Sequence, residues 1–129
     1  MLPFLCLALV SCSDPAGVQP EPVGEPFVLA PGAIAWLEQP QLLVGFVGVS
    51  AESRCPEDVQ CIVAGDAALE LWVRRPPSER VYFELHTDPS LGDSADAERY
   101  RVRLLDLAPR PRTDREIAPD DYRATLVVE

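Results

Sequence analysis

Proline constrains this chain more than any other residue. Between Phe27 and Glu129 it stands at positions 31, 40, 56, 76, 77, 89, 109, 111 and 119. Inside a helix a proline removes a backbone hydrogen bond and clashes with the preceding turn. No window much longer than about ten residues escapes both Pro and strand-type alternation, apart from Asp93–Arg99 and its flanks, so long helices are excluded. What remains has period two. Ala67, Leu69, Leu71 and Val73 alternate with Ala68, Glu70 and Trp72; Tyr100, Val102 and Leu104 alternate with Arg99, Arg101 and Arg103; Tyr122, Ala124, Leu126 and Val128 are interrupted by Arg123 and Thr125. Such alternation marks half-buried antiparallel strands. The predicted strands are 27–30, 33–37, 41–49, 62–64, 67–73, 81–86, 99–107 and 122–128, with short helical turns at 94–98 or around 119–122. The expected fold is all-β, an antiparallel β-sandwich of about 7–8 short strands with an immunoglobulin-like outline. A small β-barrel is the alternative.

Charge removes some partners. The 129 residues carry 21 acidic and 11 basic groups, a net charge of −10. Nucleic acid or an anionic membrane bound by charge would need a cationic surface. Every basic residue is Arg, and the single His, His86, excludes sites built on two imidazoles.

Residues 2–10 are apolar except for Pro3 and are followed by Ser11 and Cys12. Such a run is too short to span a bilayer and fits the hydrophobic region of an export signal. Leu9-Val10-Ser11-Cys12 resembles the lipobox of bacterial lipoproteins, although no Lys or Arg precedes the run. That resemblance implies a signal over 1–11, cleavage before Cys12, acyl chains on Cys12, and a cell-envelope location. Ser13, not Asp, follows the cysteine, which favours the outer membrane; a soluble secreted or periplasmic protein is the alternative. Residues 12–26 then form a Pro-rich tether to a domain at 27–129. In such a compartment Cys55 and Cys61 are expected to close as a disulfide, since two Cys and one distant His cannot complete a zinc site.

Residues 52–67 read Glu-Ser-Arg-Cys-Pro-Glu-Asp-Val-Gln-Cys-Ile-Val-Ala-Gly-Asp-Ala. The segment resembles a [D/E]-S-R-C-P-x-x-V-x-C-[I/V]-W-A-G-x-A motif of small bacterial secreted proteins and lipoproteins, with Val63 where the motif carries Trp. The resemblance implies no activity. Physically, the segment reads as a staple. Pro56 stiffens the loop, Val59 is expected to turn inward, and Gly65 suits a turn of positive φ. Arg54 can donate to Glu52 or to carbonyls near the loop. The sharper reading is a stiff loop at 55–61 presented to a partner.

Other candidates are weaker. His86 could pair with Asp88 or Glu84 as a general base or metal ligand. Asp88, Asp93, Asp96 and Glu98 could gather on calcium, although their spacing is not that of an EF-hand. Arg99, Arg101 and Arg103 form a cationic ladder that Glu70 or Glu84 could neutralise across strands. Trp36 is expected to be buried, and Trp72 is either an inter-sheet plug or a partner contact. No catalytic residue, metal or cofactor is assigned. The function expected is a lipid-anchored, non-catalytic binding or envelope-structural module. The alternatives are a peptidase inhibitor presenting the Cys55–Cys61 loop and a small enzyme or metal-binding protein centred on His86.

Overall fold

A computed structural model describes residues 20–37 and 41–129. The lipidation site Cys12, the signal at 1–11 and most of the expected tether lie outside the described residues. Eight strands follow in chain order: β1 Phe27–Leu29, β2 Ile34–Leu37, β3 Leu42–Glu52, β4 Ala67–Arg74, β5 Val81–His86, β6 Ser94–Ala97, β7 Tyr100–Ala108 and β8 Arg123–Val128. Among the described residues the helical content is two single 3₁₀ turns, Pro89–Leu91 and Pro119–Asp121. Each opens on a proline, where the missing N–H is harmless.

The strands form two four-stranded antiparallel sheets, ordered β1-β8-β7-β6 and β2-β3-β4-β5. Neither closes on the other, so the fold is an all-β sandwich and not a barrel. β2–β5 and β6–β8 each run as a meander, and β1 pairs with the last strand, β8, an order different from that of the immunoglobulin arrangement. The chain crosses between sheets at β1–β2 and at β5–β6. At the first crossing, Gly32 has φ +83° and its N–H donates to Phe46 O at 2.7 Å.

The alternating residues meet between the sheets. Leu37, Leu42, Val44, Phe46, Leu69, Leu71 and Leu85 from one sheet face Val102, Leu107, Ala124, Leu126 and Val128 from the other. Each large side chain so buried contributes about 1.5–3 kcal/mol, and no charged or polar residue among those described is buried with them. Long strands take up sheet curvature at irregularities: β3 shifts register between Phe46 and Gly48 and between Val49 and Ala51, and β7 between Leu104 and Asp106. The β7 shift leaves Leu105 out of the ladder.

Several local expectations are corrected. Residues 62–64 are not a strand, because the β3–β4 ladder ends at Glu52↔Ala67 and the disulfide bends the chain beyond it. Ser94–Ala97 is a strand, not a helical turn. Ala95 and Ala97 pack on the core, and a two-residue turn, Glu98-Arg99, returns the chain into β7. Both turn residues have positive φ, +51° and +71°, the type I′ geometry that matches strand twist. The free tether is shorter than residues 12–26. Glu21 N–H donates to Trp36 O at 2.7 Å in one sheet and Gly24 N–H to Val128 O at 2.8 Å in the other.

Candidate functional site

The sequence motif lies at one end of the sandwich, where β3 leaves its sheet and β4 enters. Its first members stitch the two sheets together. Glu52, the last residue of β3, receives Arg54 Nε at 3.0 Å and Arg54 Nη2. The same guanidinium donates from Nη1 to Leu107 O at 2.7 Å and from Nη2 to Pro109 O at 3.0 Å, both on the opposite sheet's side. Tyr122 Oη donates to Glu52 at 3.3 Å. Burial, with the Glu52 charge beside it, pushes the Tyr122 phenol above its ordinary range. The Arg54 side chain is only 12% exposed, so its donors are committed to the fold.

Next to this stitch, the two ends of the motif run side by side. Ser53 N–H and Oγ both donate to Asp66 O, at 2.7 and 2.8 Å, and Cys55 N–H donates to Ala64 O at 2.8 Å. Gly65 makes the approach possible. Its φ is +72°, and a Cβ there would stand 1.9 Å from Ser53 O. Cys55 and Cys61 form a disulfide with Cα atoms 5.9 Å apart.

The loop inside the disulfide is held on one flank. Glu57 N–H donates to Pro111 O at 2.9 Å, and Arg112 reaches Glu57 at 3.3 Å. Asp58 accepts from Thr113 N–H at 3.0 Å and from the Thr113 hydroxyl. The hydroxyl bond, then the N–H bond, hold the Asp58 carboxyl below its usual range. Val59 does not turn inward. The docked flank is taken by Glu57 and Asp58, and Val59 is 44% exposed. Beyond the second cysteine the exposure is greater. Ile62 is fully exposed and Val63 74% exposed.

A groove of about 450 Å³ runs beside this end. Its walls are Arg54, Cys55, Ala64 and Gly65 from the motif, Thr87–Pro89 after β5, and Leu104–Leu107 of β7 with the Leu105 bulge. Arg110 and Pro111 complete the rim. The lining mixes leucines with carboxylates and guanidinium groups, a surface suited to a mixed apolar and polar peptide more than to a compact ion.

His86 sits behind the groove in a different arrangement from the one the sequence suggests. Its Nδ1 lies 2.6 Å from Asp66 Oδ2 and its Nε2 3.1 Å from Glu84 Oε1. Asp88 contributes a backbone N–H to Asp66 Oδ1 at 3.0 Å, while its own carboxylate caps Ser90. Burial pushes the Asp66 carboxyl up, but the Asp88 N–H and then His86 outweigh it and hold the group below its ordinary range. With both nitrogens engaged, the imidazole has no free face for base chemistry. It lines neither the groove nor the shallow hollow over Glu70, Tyr82 and Glu84.

The remaining candidates disperse. Asp88, Asp93, Asp96 and Glu98 do not gather. Among the described residues no three His, Cys, Asp or Glu side chains come together as a metal site. Arg101 pairs with Asp96 at 3.0 Å and Arg103 with Glu129 at 3.1 Å, not with Glu70 or Glu84, which lie in the other sheet. Arg99 belongs to the turn. Trp72 is 5% exposed on the outer face of its sheet. It lies flat over Gly45, with Arg80 stacked 4.0 Å from the ring centroid. That covering leaves little of the ring for a partner. Trp36 is half-buried.

Neither a family model, nor a curated protein, nor a solved structure matches this chain. The sequence reading missed the groove, the exposed Ile62-Val63 pair and the Asp66–His86 contact. Only the last had a signal, a weak one, in that the single His had four carboxylates inside the motif, Glu52, Glu57, Asp58 and Asp66, as possible mates.

Proposed function

We propose that this protein is a lipid-anchored, non-catalytic binding module of the bacterial cell envelope. Its contact with a protein partner is made through the aliphatic tip Val59, Ile62 and Val63 on the disulfide-stapled loop. One observation carries the reading: a fully exposed Ile beside a 74% exposed Val. Every other conspicuous member of the motif has a structural use: Glu52 and Arg54 stitch the sheets, Ser53 and Gly65 strap the loop, and Asp66 holds His86. Leaving a large aliphatic pair in water forgoes about 25 cal/mol per Å² of burial. A stapled, flank-docked loop loses little further freedom on binding.

The anchoring half of the proposal rests on the lipobox at Leu9–Cys12. Within the domain, the chain enters near Trp36 and Val128, at the opposite end of both sheets from the loop. An anchor at that entry leaves the loop free.

The test places a photo-crosslinking residue at position 63 in the native host. A discrete adduct that disappears with Ile62→Asp, and is absent when the crosslinker sits at exposed Val28 on β1, is the expected result. No adduct at 63, or the same adduct from 28, overturns the contact. For the anchor, Cys12→Ser is expected to move the protein from the membrane fraction to the soluble one. Retention in the membrane overturns that half alone.

A second reading, inhibition of an extracellular or periplasmic peptidase, draws on the same exposed stretch offered as a stiff pseudo-substrate. It predicts stoichiometric inhibition that Ile62→Asp abolishes, read against a panel of envelope peptidases.

A further inference from the structure

The strand β5 is an outer strand whose second side is hydrogen-bonded to no strand. It pairs with β4 along one edge only. Two bonds set the direction of its backbone groups. Thr87 N–H donates to Ala67 O at 3.0 Å, which turns Thr87, Leu85, Phe83 and Val81 toward β4. His86 N–H points the other way and donates to Gly92 O at 2.9 Å. By the alternation of an antiparallel ladder, Tyr82 and Glu84 share that outward side. No backbone group of the described residues meets them there.

This edge differs from the other three. β1 has three residues, β2 and β6 have four, and β5 has six. The edge of β2 at Trp36 is occupied by the Glu21 N–H. Natural edges are usually blunted by Pro, a bulge or an inward charge. β5 has none of these.

The edge is also complementary to itself. Laid antiparallel against its own copy about Tyr82, it sets Tyr82 opposite Tyr82, Val81 opposite Phe83, and Arg80 opposite Glu84. The Val–Phe pairs fall on the core-side face, where Val81 is 42% exposed. The tyrosines, each 55% exposed, and two Arg–Glu pairs fall on the outer face. The residues brought opposite one another in the 82:82 and 80:84 pairs are those with outward backbone groups, enough for about six hydrogen bonds.

We propose that β5 pairs with β5 of a second copy about a two-fold axis at Tyr82, joining the two four-stranded sheets into one. An isologous contact of this kind closes on itself and stops at the dimer. Five paired residues bury less than the roughly 1,000 Å² of a stable interface, so the association is a weak one that favours high local concentration. It is independent of the loop reading and places the two disulfide loops at opposite ends of the pair.

Sedimentation equilibrium of the full chain, carried into the millimolar range, tests it by charge exchange. The wild type is expected to show a concentration-dependent dimer. Arg80→Glu and Glu84→Arg each put like charges opposite one another twice, and each is expected to weaken dimerisation by roughly tenfold or more. Mixed in equal amounts, the two variants restore both opposite-charge pairs, and the mixture is expected to regain wild-type association. That recovery also shows that both variants are folded. A wild type that stays monomeric throughout, or a mixture no more associated than its parts, overturns the proposal.

Discussion

Gly65 should be far less replaceable than the other glycines with positive φ, and the reason can be separated into two measurable parts. The first is conformational. At φ +72° an alanine is held in the left-handed region, which costs about 1 kcal/mol relative to glycine. The second is steric. The added Cβ would lie 1.9 Å from Ser53 O, 2.8 Å from Ser53 C and 3.0 Å from Arg54 Cα. These are backbone atoms, and no rotamer change relieves them. The two ends of the motif must move apart, and Ser53 N–H to Asp66 O, at 2.7 Å, and Cys55 N–H to Ala64 O, at 2.8 Å, lie in the path. Losing one or both adds about 1–2 kcal/mol, for a total of about 2–3 kcal/mol. Gly32 is the control, since its φ is +83° but a Cβ there meets nothing within 4 Å. Gly32→Ala should therefore lose about 1 kcal/mol. The assay is equilibrium unfolding in urea of both oxidised variants, compared at equal slope. Equal losses for the two variants, to within about 0.5 kcal/mol, would refute the close-approach argument and leave Gly65 as an ordinary turn glycine.

Four further outcomes follow from the same geometry. Replacing Arg54 with Met strands the Leu107 and Pro109 carbonyls and the Glu52 carboxylate, and should destabilise by about 2–3 kcal/mol; Arg54→Lys, unable to fork, should recover less than half. Removing the disulfide as Cys55→Ser with Cys61→Ser should lose about 2 kcal/mol by thermal or urea unfolding, the loop entropy of so short a ring. The Glu98-Arg99 turn holds two non-glycine residues at positive φ, so Glu98→Asn with Arg99→Gly should stabilise by about 1–2 kcal/mol. Asp66 has a folded pKa below its ordinary 3.8. The unfolded chain therefore binds more protons near that pH, and the contribution of Asp66 is complete above it and lost as pH falls through the folded value. Acid titration of unfolding should show a steeper loss below about pH 4 for the wild type than for Asp66→Asn.

Legibility in the sequence followed the physics of each signal. β5 is legible to the residue, and β4 and β7 to within one, because period-two alternation survives wherever one face of a strand meets a core. β6 is not legible because its information is not local. Ser94-Ala95-Asp96-Ala97 has weak strand propensity, and its turn lacks the Asn-Gly that announces the type I′ geometry. What makes it a strand is Ala95 and Ala97 packing on the core beside Val102 and Tyr100, a tertiary preference that overrides propensity. Residues 62–64 failed the other way. Ile-Val-Ala reads as a strand on composition, but a strand needs a neighbour, and the ladder ends at Glu52↔Ala67.

That second failure bears on function. An Ile-Val pair in a sequence is a prediction of burial, because water disfavours it; here the fold has a core available and does not use it for these two. The loop has the means to hide them, since its other flank docks firmly on Pro111 and Thr113 through Glu57 and Asp58. The polar residues take the docked side and the aliphatic ones take the open side, the reverse of what solvation alone would select. The outer-face Trp72 shows the ordinary solution on the same molecule, in which a large apolar group outside the core is covered by Arg80 and seated on a glycine. Ile62 and Val63 receive no such cover from the described residues, and the protein contact proposed above would supply it.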